Sequence, residues 1–118
     1  MLRLNHKRLD VWKLSIDFIV DIYEITECFP KKEVFLLSNQ LRRAAISIAS
    51  NIAEGCSRSS IAERRRFFEI ARSSLVEIDT QFEISKRLKY INDQDILTTE
   101  GKFIRLFSML SKLISSTN

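Results

Sequence analysis

Apolar residues recur along this chain every three or four positions over long stretches, a period that predicts helices rather than strands. Over 10–28, Trp12, Ile16, Ile19 and Tyr23 mark one apolar face, and Val11, Phe18, Ile22 and Ile25 mark a second, rotated from it. Asp17, Asp21, Glu24 and Glu27 fill the rest as an acidic stripe. So wide an apolar arc is expected on a helix that buries more than one side. Phe29-Pro30-Lys31-Lys32 ends it, because proline cannot continue a helix and biases its predecessor away from α geometry.

A second helix is predicted over 33–55, with Leu37, Leu41, Ala44, Ile48 and Ile52 as its core stripe. Ala45, Ser47, Ala49, Ser50 and Ala53 surround that stripe with small side chains, and Gly55 is placed as a left-handed carboxy-terminal cap. After the loop 56–59, Ser60-Ile61-Ala62-Glu63 has the spacing of a capping box and opens a third helix over 60–89. There Phe68, Ala71, Leu75, Ile78 and Phe82 follow a 3-4-3-4 spacing, the seam of a bundle. Tyr90-Ile91-Asn92 breaks the pattern, and Asp93 is expected to cap a fourth helix over 93–115. Phe103, Phe107, Leu110 and Ile114 are expected inward, with Leu106 and Leu113 beside them; Gly101, inside this helix, suggests close packing.

Four amphipathic segments with short connections predict an all-α chain, one antiparallel up-down-up-down four-helix bundle over 1–118. Composition agrees: two Gly and one Pro among 118 residues leave too little turn punctuation for a sheet protein. Hydrophobic residues make up 45%, a globular share, and the surplus apolar face of the first helix predicts a homo-oligomer. Arg3, His6, Lys7, Arg8 and Asp10 interrupt the amino-terminal stretch, so it does not read as a signal peptide. No segment approaches a membrane span, and a cytoplasmic protein is the expectation.

The chemistry-bearing residues are sparse. His6 is the only histidine and lies in what reads as a mobile amino-terminal arm, which disfavours a Ser/His or Cys/His dyad. Cys28 and Cys56 have no zinc-type spacing and read as reduced, isolated thiols. There is no phosphate-cradling glycine loop and no Glu-x-x-His pair for a di-metal bundle. A catalytic role, a metal, a cofactor and a small-molecule substrate are therefore not expected.

Two clusters remain. Arg58, Arg64, Arg65, Arg66 and Arg72 form the densest basic run on a chain of net charge +4, and arginine forks suit phosphate oxygens. The same run also reads as a solvated helix face, or as the partner of an acidic stripe across a subunit boundary. Arg64, Arg65 and Arg66 span the helix circumference, so they cannot all face one ligand. The other cluster is polar: Gln40, Arg43, Ser47, Asn51 and Glu54 share one face of the second helix. With Glu77 they are expected to form a hydrogen-bonded structural network; a ligand-binding role for this face is the alternative.

Several segments, in order, carry a resemblance: Leu9-Asp10-Val11-Trp12, Phe29-Pro30 with Glu33, and Gln40-Leu41-Arg42-Arg43-Ala44-Ala45. Ser47-Ile48, Asn51-Ile52-Ala53-Glu54-Gly55 and Arg58 follow, and then Arg66-Phe67-Phe68-Glu69-Ile70-Ala71-Arg72-Ser73-Ser74-Leu75 with Glu77. Over nearly its whole length the chain resembles the bacterial four-helix-bundle family encoded within intervening sequences of 23S ribosomal RNA genes, some members of which are labelled ribosomal proteins. It is also similar to the accessory protein of diversity-generating retroelements, which works with a reverse transcriptase and its RNA. The resemblance implies a ring-like homopentamer and no catalytic residues. Ala49 stands where many members have proline, Ser73 where glycine is common, and Lys89 where another glycine precedes the tyrosine.

Two functions follow as expectations. The first is a non-enzymatic oligomer that associates with structured RNA or a ribonucleoprotein through its arginines. The alternative is an assembly or adaptor protein whose charges join its own subunits or a protein partner, without nucleic acid.

Overall fold

A computed structural model describes residues 4–118; Arg3 lies outside the described residues. The described residues form four α-helices and no strand: α1 Asp10–Glu27, α2 Leu37–Ser57, α3 Ile61–Arg87 and α4 Leu97–Ser116. Short 3-10 turns at Asn5–Arg8 and Lys31–Glu33 precede α1 and α2.

Each helix packs on two neighbours, in the cyclic order α1-α2-α3-α4, and α2 and α3 share the largest contact. Pairs of touching residues fix the directions. Arg42 meets Tyr23 and Glu27 across α1–α2, and Ser47 meets Ser74 across α2–α3. Arg72 meets Ser111 and Lys86 meets Glu100 across α3–α4, and Asp21 meets Thr99 and Lys102 across α1–α4. With Gly55 against Phe68 across α2–α3 and Phe18 against Phe103 across α1–α4 as second pairs, higher numbers on one helix meet lower numbers on the next, so neighbouring helices run antiparallel. The bundle is 44 × 28 × 20 Å.

The core follows the seams. Phe68, Ala71, Leu75, Ile78 and Phe82 of α3 are all buried, as are Leu41, Ala44, Ile48 and Ile52 of α2. On α1 only one of the two apolar faces turns inward: Val11, Leu14, Phe18 and Ile22 are buried, while Ile16, Val20 and Tyr23 are exposed. On α4, Leu106 and Leu110 are the fully buried residues. Phe103, Leu113 and Ile114 are half-buried and Phe107 is exposed, so the expected inward face is rotated toward Leu106. Buried hydroxyls return to their own helix: Thr26 donates to the Ile22 carbonyl and Ser85 to the Gln81 carbonyl.

Several helix ends differ from expectation, each for a physical reason. Residues 33–36 precede α2 instead of opening it, because Glu33 closes a 3-10 turn and its carboxylate accepts from the Leu37 amide. Gly55 is not a cap: its φ is not positive, and α2 continues to Ser57. A Cβ at Gly55 would fall 2.5 Å from the Phe68 ring, so its role is to let that ring approach. Ser60 does cap α3, its Oγ accepting from the Glu63 amide, but the Glu63 side chain returns no bond, leaving half a capping box. Asp93 does not cap α4; it pairs with Lys86 at 3.1 Å. Asn92 and Asp95 instead exchange two side-chain-to-amide bonds, and α4 begins only at Leu97. Gly101 meets nothing within 4 Å, which removes close packing within the chain as its reason. The amino-terminal segment is docked rather than free, with the His6 ring edge-on to Trp12 at 5.1 Å.

Candidate functional site

The α2–α3 connection gathers the basic run at one end of the bundle, and its guanidinium groups have different tasks. Arg58 pairs with Glu54 one turn earlier at 3.1 Å and lies over the Phe67 ring at 5.0 Å. Arg64 turns back toward the end of α2, where its Nη1 donates to the Cys56 and Arg58 carbonyls at 3.4 and 3.2 Å. Those carbonyls are the acceptors a helix end leaves open, so Arg64 closes α2. Arg72, about three turns along α3, donates to Ser111 Oγ at 3.2 Å and lies over Phe107 at 5.8 Å. It belongs to the α3–α4 seam.

Arg65 and Arg66 are left. Both are exposed, and neither makes an ion pair or a side-chain hydrogen bond among the described residues. The sequence-predicted set of five thus resolves into three arginines engaged within the chain and two presented to solvent.

The polar set follows the α2–α3 seam but does not join into the expected network. Asn51 donates to the Ser47 carbonyl and Oγ, at 2.8 and 2.9 Å, and Ser74 donates to Ser47 Oγ from across the seam at 3.1 Å. Glu54 is occupied by Arg58. Gln40 and Arg43 are exposed, with no side-chain partner among the described residues. Glu77 accepts a long bond from the buried Gln81, whose own Oε1 has no partner. Ser47 and Ser74, rather than Arg43 and Glu77, make the cross-helix contact. Two small hydroxyls at small-residue positions allow closer helix approach than an arginine and a glutamate do.

Two anchors were not legible beforehand. Arg42 Nε donates to Thr26 Oγ1 at 2.8 Å, its guanidinium pairs with Glu27 at 3.3 Å and it covers the Tyr23 ring at 4.6 Å. Asp21 accepts from Thr99 and holds Lys102 at 2.8 Å. Both were hidden among ordinary surface charges of amphipathic helices, and only tertiary pairing distinguishes them.

The two thiols do not pair. Burial pushes the Cys56 thiol up, partly opposed by the Arg64 charge, which leaves it a poor nucleophile at neutral pH. Among the described residues no three His, Cys, Asp or Glu side chains converge, and no helix is long and apolar enough to cross a membrane.

The outer surface carries a second feature. Ile16, Val20 and Tyr23 of α1 and Ile46 of α2 are exposed, and Trp12 and Ile19 of α1 are half-buried. On the opposite flank Val76 of α3 and Ile104 and Phe107 of α4 are exposed. Apolar surface on two opposite flanks is more than a lone bundle needs.

Comparison with known proteins agrees with this architecture. A crystal structure of a protein of unknown function from the S23 ribosomal protein family of Bacteroides thetaiotaomicron superposes with a TM-score of 0.78 at 24% identity, covering 90% of this chain and 99% of that one. At that identity the likeness speaks for the fold alone. No curated protein sequence matches the chain. The family model described as 23S rRNA-intervening sequence protein matches residues 7–112, from the docked amino-terminal turn through most of α4. With the bundle and both ends of that match accounted for, the chain belongs to the 23S rRNA-intervening sequence protein family.

Proposed function

We propose that the protein is a non-enzymatic, cytoplasmic homo-oligomer that associates with structured RNA, or with an RNA–protein complex, through arginines at the α2–α3 end of each bundle. The observation that carries this reading is the pair Arg65 and Arg66, exposed and without an acidic partner, beside Arg58 and Arg64, which are already held in place. Arg64, held by neutral carbonyls, keeps the local potential positive while two free forks remain for phosphate oxygens. The family's association with intervening sequences of ribosomal RNA genes supports an RNA context. Two arginines are a modest site in one chain, and assembly, a pentamer by resemblance to the family, multiplies them.

The test is binding of a structured ribosomal RNA fragment over a range of salt. Affinity is expected to fall steeply with salt because phosphate contacts release counterions. In an Arg65→Ala/Arg66→Ala variant the slope of log affinity against log salt should become shallower by about 2 per site engaged. Absence of binding at low salt, or a slope unchanged in the variant, overturns the RNA reading. Arg64 is left in place because it closes α2.

The exposed apolar flanks favour a second reading, an assembly or adaptor protein that joins its own copies or a protein partner without nucleic acid. It predicts self-association that persists at high salt and no RNA binding.

A further inference from the structure

The turn between α1 and α2 projects a side chain that the bundle does not use. Phe35 is 85% exposed, the most exposed large apolar residue described, and Lys31 and Lys32 stand exposed beside it. The turn is nonetheless held on both sides. Glu33 accepts from the Tyr90 hydroxyl at 3.0 Å and from the Leu37 amide at 3.1 Å, and Phe29 is buried against the Tyr90 ring at 5.4 Å. The Leu36 amide donates back to the Glu33 carbonyl. Phe35 is therefore presented by a hydrogen-bonded corner, as an aromatic knob with two cations at its base.

A matching hollow lies on the opposite flank. Between α3 and α4 a cleft of about 400 Å³ has an apolar floor of Phe82, Ile96 and Phe103, with Ile104 on its wall. Its volume falls within the ~300–1,000 Å³ of clefts that take organic groups. Glu100 and Lys86 at its edge are already paired with each other. Asp79 and Glu83 are exposed on the rim and form no ion pair among the described residues, so the charge there is net negative.

Knob and hollow are complementary in polarity and in charge: an aromatic ring with lysines against an apolar floor with carboxylates. Within this chain the hollow is lined by α3, α4 and Ile96 alone, and no residue of the α1–α2 turn enters it. Knob and hollow do share one end of the bundle. The Glu33–Tyr90 bond places the knob at the level of residue 90, and the hollow spans residues 79–86 of α3. At 1.5 Å per helical residue the two lie about 6–16 Å apart along the axis. Two copies side by side, tilted or shifted along the axis by that distance, bring them together.

We propose that the Lys31-Lys32-Phe35 knob of one copy seats in the α3–α4 hollow of the next, a head-to-tail contact between copies of this chain. The proposal rests on the homo-oligomeric reading and names its contact. Because knob and hollow are different surfaces, each copy offers one of each, so the contact repeats from copy to copy, into a closed ring or an open filament.

Sedimentation velocity of the wild-type chain reads the assembly itself. Phe35→Ala and Glu83→Lys change exposed residues, so the fold is expected to survive, with circular dichroism as the check. Each is expected to weaken self-association roughly tenfold or more, as loss of a central anchor does. Mixing the two variants should give a heterodimer that grows no further, because only one intact knob and one intact hollow remain. Lys31→Glu/Lys32→Glu combined in one chain with Asp79→Lys/Glu83→Lys should restore assembly. A wild-type monomer overturns the oligomeric reading and this contact with it. A wild-type oligomer left unchanged by Phe35→Ala and Glu83→Lys, or a mixture that does not associate, overturns the contact alone. If the chain is monomeric while its hollow binds a peptide of residues 28–37, the hollow serves a different protein and the proposal fails.

Discussion

A methyl group added at Gly55 would lie 2.5 Å from Cε1 and 2.8 Å from Cδ1 of Phe68, a ring with no exposed surface. Gly55→Ala is therefore expected to lower stability by about 1–2 kcal/mol, the overpacking cost less the gain in helix propensity. Gly101 has open space at the same position, so Gly101→Ala should raise stability by about 1 kcal/mol. Urea unfolding of the two variants checks the opposite signs. Lys89 sits at φ 63°, where the Tyr90 amide reaches the Ser85 carbonyl and the Lys89 amide reaches that of Lys86, a Schellman ending. A side chain is strained in that region, and Lys89→Gly should stabilise the chain by about 1 kcal/mol. A glycine near a helix end reads in sequence as a cap. Here the cap is a lysine, and the glycine yields to a ring 13 positions away, a choice that only the folded neighbour makes.

At the scale of elements, the period of the apolar residues sufficed for what local physics controls. The α3 seam stands as read, and so does the α2 core stripe from Leu41 to Ile52, with Leu37 only half-buried at the helix start, since every seam position faces a neighbour whichever neighbour that is. The starts of α2 and α4 were misplaced because side-chain-to-amide bonds set them: Glu33, which Tyr90 also holds, to the Leu37 amide, and Asn92 reciprocally with Asp95. On α1 two apolar faces compete, and nothing local says which turns inward. The Glu33–Tyr90 corner gives a pH test. Partial desolvation and the hydrogen bond to Glu33 hold the Tyr90 hydroxyl above the ordinary tyrosine range. The folded chain thus binds this proton more tightly than the unfolded chain does. The stabilisation is complete below the unfolded tyrosine's pKa and is lost as pH rises through the folded one. The urea midpoint should fall on the alkaline side of that window in the wild type. Tyr90→Phe should flatten the fall, and Glu33→Gln should bring the Tyr90 absorbance titration back toward its ordinary position.

For the whole molecule, the apolar flanks and the arginine end lie on different surfaces, and this separation makes their coupling measurable. Arg65 and Arg66 belong to the first turns of α3, whereas the exposed stripe Ile16, Val20 and Tyr23 runs along α1. A variant such as Ile16→Ser/Val20→Ser removes apolar surface and leaves every arginine in place. If RNA is held by many copies at once, this variant should lose both assembly and roughly tenfold or more of the RNA affinity, because avidity disappears with the oligomer. Arg65→Ala/Arg66→Ala should do the reverse, keeping the sedimentation coefficient and losing the salt-dependent binding. Sedimentation and RNA titration of the same two proteins read both effects. An assembly-deficient chain that still binds RNA with wild-type affinity would mean that each bundle is a complete RNA site by itself. Self-association would then have to serve something other than avidity.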